Sequence, residues 1–307
     1  LNVKTICTGN NLTWTERLKS ALYKIDTDYI LFFLEDFFLY DKVNNDLFER
    51  MAQIFMNDDS LGVLWFPNYD DLIPNQKYCS VYNDFFVGEE ADVTIVAGCG
   101  VHTETGEAAR HNGIHRFILG KGSKVKYIEK HIGTGEGNGT RTIDPVTEII
   151  MGEDSTLEMD TAQIGGVDKS SRTTTAVLEK GAKLLIRERL LTEYSQYAET
   201  DFKVELNGEG SGADVISRSV AKDNSHQVYR SIIIGNAPCT GHTECDAIIS
   251  ENGVVDATPG LFARNEDAAL IHEAAIGKIA GEQILKLRTL GLTEEEAQNT
   301  IIQGFLS

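Results

Sequence analysis

The stretch Leu119-Gly120-Lys121-Gly122-Ser123-Lys124-Val125-Lys126-Tyr127 decides the fold. An apolar run ends in a polar turn, where glycine relaxes the φ restriction. A segment follows in which apolar and charged residues alternate with the period of a strand. The same texture recurs in Val87-Gly88-Glu89-Glu90-Ala91-Asp92-Val93-Thr94-Ile95, in Met151-Gly152-Glu153-Asp154-Ser155-Thr156-Leu157-Glu158-Met159 and in Leu178-Glu179-Lys180-Gly181-Ala182-Lys183-Leu184-Leu185-Ile186. A looser copy spans Leu206 to Ile216. The spacing is roughly 30 residues, the range in which repeats signal stacked architectures. One strand–turn–strand unit cannot bury its apolar face alone, so the units stack. A mainly β chain built as a β-solenoid is expected, with an antiparallel sandwich of ordinary hairpins as the alternative. Between residues 80 and 237 only Pro145 interrupts the strands.

Outward from this body the texture changes twice. Residues 1–72 read as an atypical α/β-like segment: helical spacing in Trp14–Lys24 and Asn45–Met56, with apolar runs at Tyr29–Leu34 and Gly62–Phe66. Residues 73–258 form the repeat region. From 259 to 307 the spacing turns helical, with Leu270, Ile271, Ala274, Ile276, Ile279, Ala280, Ile284, Leu285 and Leu287 at mixed three- and four-residue steps. That pattern predicts a helix over Asp267–Leu290, stopped by Gly291. Thr293-Glu294-Glu295-Glu296 reads as a capping box that opens a last short helix.

The bulk numbers exclude several function classes. The 307 residues carry a net charge of −19, the wrong sign for a nucleic-acid partner. The longest apolar run, Tyr29 to Leu39, is broken by Glu35 and Asp36 and is far short of the ~20 residues of a membrane helix. Five cysteines at irregular positions, Cys7, Cys79, Cys99, Cys239 and Cys245, suit a reduced, cytoplasmic setting better than a secreted disulfide framework.

Cys239-Thr240-Gly241-His242-Thr243-Glu244-Cys245-Asp246 and Leu270-Ile271-His272-Glu273-Ala274 hold the densest sets of thiol, imidazole and carboxylate groups. These are the ligands of iron, zinc and thiolate-bound clusters. Spacing alone also allows Cys245 to be a small buried apolar residue and His272 a satisfied polar one. His111 and His115 read as turn residues flanking the sheet. Gly133 to Gly139 reads as a mobile hairpin tip rather than a phosphate cradle. No P-loop lysine motif occurs, so no ATP site is expected on this chain.

Ser217-Arg218-Ser219-Val220-Ala221-Lys222-Asp223-Asn224-Ser225 resembles a strand motif of the SufB/SufD family. Gly241–Asp246 followed by Ala257-Thr258-Pro259 resembles the family's last solenoid turns, and His272–Ile279 with Leu290–Ala297 and Gly304-Phe305-Leu306 is similar to its C-terminal signature. The resemblance covers about residues 78–307 and is similar to compact SufB-like members; residues 1–72 are not explained by it. It implies a right-handed parallel β-helix (solenoid) with a C-terminal helical domain. It also implies a scaffold on which a transient iron–sulfur cluster forms, with sulfur from a cysteine desulfurase or other donor. The implied partners are a SufC-type ABC ATPase docked on the C-terminal helices, through Ile276, Ile279, Leu285 and Leu287, and a second scaffold subunit. The cluster-assembly residues carry over to Cys245, Glu273 and His272. The cysteine implicated in accepting sulfur carries over to Cys99, within Ala97-Gly98-Cys99-Gly100.

Thiolate accepts persulfide sulfur and binds iron, whereas carboxylate and imidazole release a cluster more readily than a four-thiolate site would. A carbohydrate-active enzyme is the competing reading, either as a β-solenoid polysaccharide enzyme or through Asp28 to Asp36, which resembles the strand and acidic pair of nucleotide-sugar glycosyltransferases. The clustering of candidate residues near the C-terminus favours the scaffold.

Overall fold

The structure, a computed structural model, describes residues 63–64 and 78–306. The helices expected at Trp14–Lys24 and Asn45–Met56, the strand at Tyr29–Leu34 and the Asp28–Asp36 motif lie outside the described residues.

Among the described residues sixteen strands form two parallel sheets. The first contains β1 (Val63–Leu64), β3 (Asp92–His102), β5 (Lys124–Thr134), β8 (Thr156–Ile164), β10 (Lys183–Thr192), β12 (Gly212–Ala221), β14 (Cys239–Ile249) and β16 (Ala268–Gly277), paired in that order. The second runs from β2 (Tyr78–Val87) through β4 (Ala109–Leu119), β6 (Arg141–Ile143) with β7 (Val146–Met151), β9 (Lys169–Leu178), β11 (Tyr197–Leu206) and β13 (His226–Gly235) to β15 (Val254–Ala263). The chain alternates between the sheets, so each turn adds one rung to both, making a solenoid of about seven turns. Among the described residues the strand pairings are parallel, which removes the antiparallel sandwich. Register partners such as Asp92 and Lys124, or Glu188 and Ser217, stand 32 and 29 residues apart, matching the repeat read from the turns. Pro145 separates β6 from β7, where its missing amide costs the ladder least.

The turn chemistry follows the repeat. The third turn residue is left-handed whether or not it is glycine: Glu90 (φ 57°), Gly122 (66°), Asp154 (55°) and Gly181 (68°). The residue after it points inward. Ser123 and Ser155 are fully buried there, and their hydroxyls donate to the Gly120 and Gly152 carbonyls at 2.8 and 2.7 Å. Inward side chains of both sheets, Phe117, Tyr127, Leu157, Leu178, Ile186, Leu206 and Ile233 among them, merge into one core. Each buried aliphatic side chain contributes about 1.5–3 kcal/mol.

Three local expectations change. The helix expected over Asp267–Leu290 divides into strand β16 and helix α1 (Gly281–Thr289). β16 continues the ladder of β14 through ten register pairs, Cys239↔Ala268 to Ile248↔Gly277, so backbone pairing outweighs the helical spacing of its side chains. The solenoid therefore runs past Pro259, which sits on β15, the edge strand of its sheet, where proline is tolerated. His111 and His115 are buried in the middle of β4 rather than in a turn. Finally, the loop from Gly135 to Gly139 lies on the preceding coil. The Gly137 and Gly139 amides donate to Thr103 and Thr105 carbonyls at 2.9 and 3.0 Å, and a Cβ on Gly139 would meet the Glu107 carbonyl oxygen at 1.9 Å.

Gly291, at φ 98°, ends α1 as expected, and helix α2 (Glu294–Phe305) opens with the anticipated box. Glu296 N–H donates to the Thr293 hydroxyl at 3.2 Å, and Thr293 N–H to the Glu296 carboxylate at 2.7 Å. Ile302 of α2, Leu306 and Val220 form a small apolar cluster, against which Ile248 and Ile279 also pack. No helix among the described residues is long and apolar enough to cross a membrane.

Candidate functional site

Strand alternation divides the three residues expected to act together. Cys245 points inward from β14, 1% exposed, between its register partners Ser217 and Ala274. Burial, then the charges of Glu188 and Asp246, push its thiol up to about 12. His272 is the register partner of Thr243 and shares the inward side of the ladder with it and Cys245. Its Nδ1 donates to the Thr243 carbonyl at 3.1 Å, which fixes the orientation of the ring.

Glu273, one residue on, faces the other way. Opposite Glu244 on the ladder, it joins His242 and Glu244, and one ligand atom from each of the three lies within 4.8 Å of the others. His242 Nδ1 is 2.7 Å from Asp214, and its Nε2 is 3.9 Å from Glu273. An acidic partner on one imidazole nitrogen orients the other for a metal. Glu244 is raised above the usual carboxylate range by burial and by its contact with Asp246.

Cys99 lies on β3 at the other end of the solenoid, half-buried, opposite His131 on the ladder. The polar interior beside it was not legible in the sequence. Tyr127 O–H donates to Glu129 at 2.9 Å, and its oxygen is 2.7 Å from His115 Nδ1. Arg172 donates to Glu129 at 3.2 Å and to His131 Nδ1 at 3.0 Å, and lies 3.5 Å from Glu188. Glu188 accepts from Thr200 at 3.1 Å and Ser217 at 2.9 Å. Burial opposes the ionisation of Glu129, but His131, Arg172 and His115 outweigh it and hold its pKa well below the usual range. For Glu188 burial wins over Arg172 and the hydroxyls, and its pKa is raised. One arginine thus serves two buried carboxylates unequally.

The two buried carboxylates share one register column with Cys245, while Cys99 stands one inward position away from it, opposite His131. Glu129, Thr161, Glu188, Ser217 and Cys245 are successive partners across β5, β8, β10, β12 and β14. Four rungs at ~4.8 Å put Glu129 about 19 Å from Cys245 along the stack. The signal available in the sequence was the repeat itself: polar residues recur at one repeat position, which becomes visible only once the register is known.

Fold and site together define a parallel β-solenoid protein that carries a thiol near each end of its described stack, Cys99 on β3 and Cys245 on β14. Residues 80–305 match the family described as SUF system FeS cluster assembly, SufBD core domain, and the chain belongs to that family. It is similar to the iron-sulfur cluster assembly SufBD family protein of Archaeoglobus fulgidus, 33% identical over 228 residues, covering 74% of this chain and 60% of the relative. A SufBD family protein of Methanothermobacter thermautotrophicus is 30% identical over 233 residues, covering 74% and 55%. The iron-sulfur cluster assembly protein SufB of Bacillus subtilis is 26% identical over 225 residues, covering 72% and 47%. The chain therefore spans less than two thirds of the length of these relatives.

Proposed function

We propose that this chain is a scaffold subunit of a SUF-type assembly complex, on which iron and sulfur are joined into a cluster that later leaves. The family match supports the scaffold reading, and the comparisons lend no support to the carbohydrate-active alternative. In this reading Cys99 accepts sulfur from a cysteine desulfurase or other donor. Cys245 and His272 hold the growing cluster from the inside of the last rungs, and Glu273, with His242 and Glu244, presents iron from the outer face. The observation that carries it is the register column that links the surroundings of Cys99 to Cys245, with His272 beside Cys245 on the same face. Since the Cys245 thiol is held protonated, iron must displace its proton, which makes loading faster at higher pH.

The remaining partners fit the C-terminal end. Within α1 no residue is buried, and Leu285 is 61% exposed with Ile276 at 40%, while Ile279 and Leu287 are half-covered. This face would dock an ABC-type ATPase that supplies the nucleotide site. β15 and β16, each the last strand of its sheet, expose Phe262 and Ile271 and would meet a second scaffold subunit in the cytoplasm. Anaerobic reconstitution with Fe2+ and sulfide tests the assembly reading. Loading is expected to be lost in Cys245→Ala and reduced in His272→Ala, and full loading of Cys245→Ala would remove the proposal.

A further inference from the structure

Cys99 stands beside a chain of hydrogen bonds that ends on a buried carboxylate. Its Sγ, a ring nitrogen of His115 and a Glu129 oxygen lie within 4.8 Å of one another. His115 on β4 and Glu129 on β5 are 3% and 2% exposed, whereas Cys99 is half-buried, which leaves it within reach of a donor. The thiolate, not the thiol, is the nucleophile in sulfur chemistry, so a group near Cys99 must take its proton. Three groups stand near it. His131 is its register partner on β5, but His131 Nδ1 accepts from Arg172 at 3.0 Å. The hydrogen of that ring is therefore on Nε2, 3.1 Å from Glu129, and no lone pair is left for a thiol proton. Glu129 is held ionised, against burial, by His131, Arg172 and His115, with a pKa well below the carboxylate range, so it is too weak a base.

His115 remains. The ionised Glu129 can only accept, so the Tyr127 hydroxyl donates to it at 2.9 Å, and the phenol oxygen accepts from His115 Nδ1–H at 2.7 Å. The lone pair of His115 is then on Nε2. Among the described residues that nitrogen has no hydrogen-bond partner, and Gly113 leaves it uncovered, since a Cβ there would stand 3.1 Å from it. The charged and titratable groups around the ring are Glu129, His131, Arg172 and His111. Burial lowers the pKa of His115 from 6.5, outweighing Glu129, so the ring is neutral and able to take a proton at neutral pH. Once protonated, it is held through Tyr127 by the Glu129 carboxylate, the part that the acid plays in a catalytic triad.

We propose that His115 is the base that activates Cys99, with Tyr127 and Glu129 positioning its ring. The inference rests on the reading of Cys99 as the sulfur acceptor and deepens it. His115 Nε2 takes the thiol proton, across a gap that a turn of the thiol closes or one water spans. The thiolate then attacks the terminal sulfur of a donor persulfide. A new S–S bond forms on Cys99 as the donor's S–S bond breaks, and the donor leaves as a thiolate that takes the proton from His115. One sulfur atom moves, with no net oxidation or reduction.

Two measurements on the full chain test it. Iodoacetamide alkylation of Cys99, mapped by mass spectrometry, reads the activation without a sulfur donor. In the wild type its rate should already climb on the acid side of pH 6.5, as the ring loses its proton. His115→Gln should be at least about tenfold slower at neutral pH and follow thiol ionisation alone, near about pH 8.5. Tyr127→Phe, which keeps the packing and frees His115 Nδ1, should slow alkylation in part and serves if His115→Gln does not fold. Persulfide formed on Cys99 by glutathione persulfide should fall in the same proportion. A wild-type rate and pH profile in every folded variant would overturn the role of His115. If wild-type Cys99 takes no sulfur while His115→Gln still slows its alkylation, the acceptor reading fails and the base assignment stands.

Discussion

Replacing Arg172 by methionine removes the one guanidinium buried between Glu129 and Glu188. Arg172 is 6% exposed and contacts Glu129 at 3.2 Å, His131 at 3.0 Å and Glu188 at 3.5 Å. Methionine fills much of the volume, so the loss is mainly electrostatic. Breaking a buried pair from one side leaves an uncompensated charge and costs about 3–5 kcal/mol. In a domain of this size 1 kcal/mol moves Tm by about 2–4 °C, so melting followed by far-ultraviolet circular dichroism should fall by on the order of 10 °C at neutral pH. Two further measurements identify the cause. Adding Glu129→Gln removes the stranded charge and should restore part of the lost Tm. The pH dependence should also change. The folded pKa of Glu129 is depressed, so its stabilisation is present above the ordinary value of 4.5 and is lost as pH falls through the folded value. The gap between wild type and Arg172→Met should therefore narrow in acid. A drop under about 2 °C at neutral pH, or a double variant no better than the single, would refute the reasoning.

Glu188 should behave in the opposite sense, because its folded pKa is raised: its contribution is present below the ordinary value of 4.5 and is lost as pH rises through the folded value. Glu188→Gln, which mimics the protonated group, should gain stability relative to wild type as pH rises, and chemical denaturation at several pH values checks this. Since the Glu188 charge also raises the Cys245 thiol, the same variant should make Cys245 alkylate faster. In the wild-type chain, mass-spectrometric mapping of alkylation should find half-buried Cys99 modified well before Cys245, with the Cys245 rate still climbing with pH toward about 12. Thr293→Ala removes the acceptor of the Glu296 amide and should cost about 1 kcal/mol, seen as faster hydrogen exchange confined to α2.

The turns made the architecture legible. A four-residue turn with a left-handed third position, repeated about every 30 residues, leaves stacked parallel rungs as the way to bury each alternating strand. The box at Thr293–Glu296 and the stop at Gly291 were equally local, since capping depends on neighbours a few residues away. Local reading failed at β16, where apolar residues occupy both faces because the rung ends the stack: Ile271 is 56% exposed, so strand alternation is blurred into a helical spacing. It failed at His111 and His115 for the converse reason, as polar residues on an inward face look like turn residues until their partners are known.

What the amino-acid order determined by itself was the repeat, the capping and the family signature, all carried by contacts within one unit. What the tertiary structure decided was the company each side chain keeps. Parallel pairing joins residues 27 to 32 positions apart, so a shift of a few residues in loop length would change which of Glu129, Glu188, Ser217 and Cys245 share a column. The two-residue alternation then separates His272 from Glu273, neighbours in sequence, onto opposite faces of the sheet.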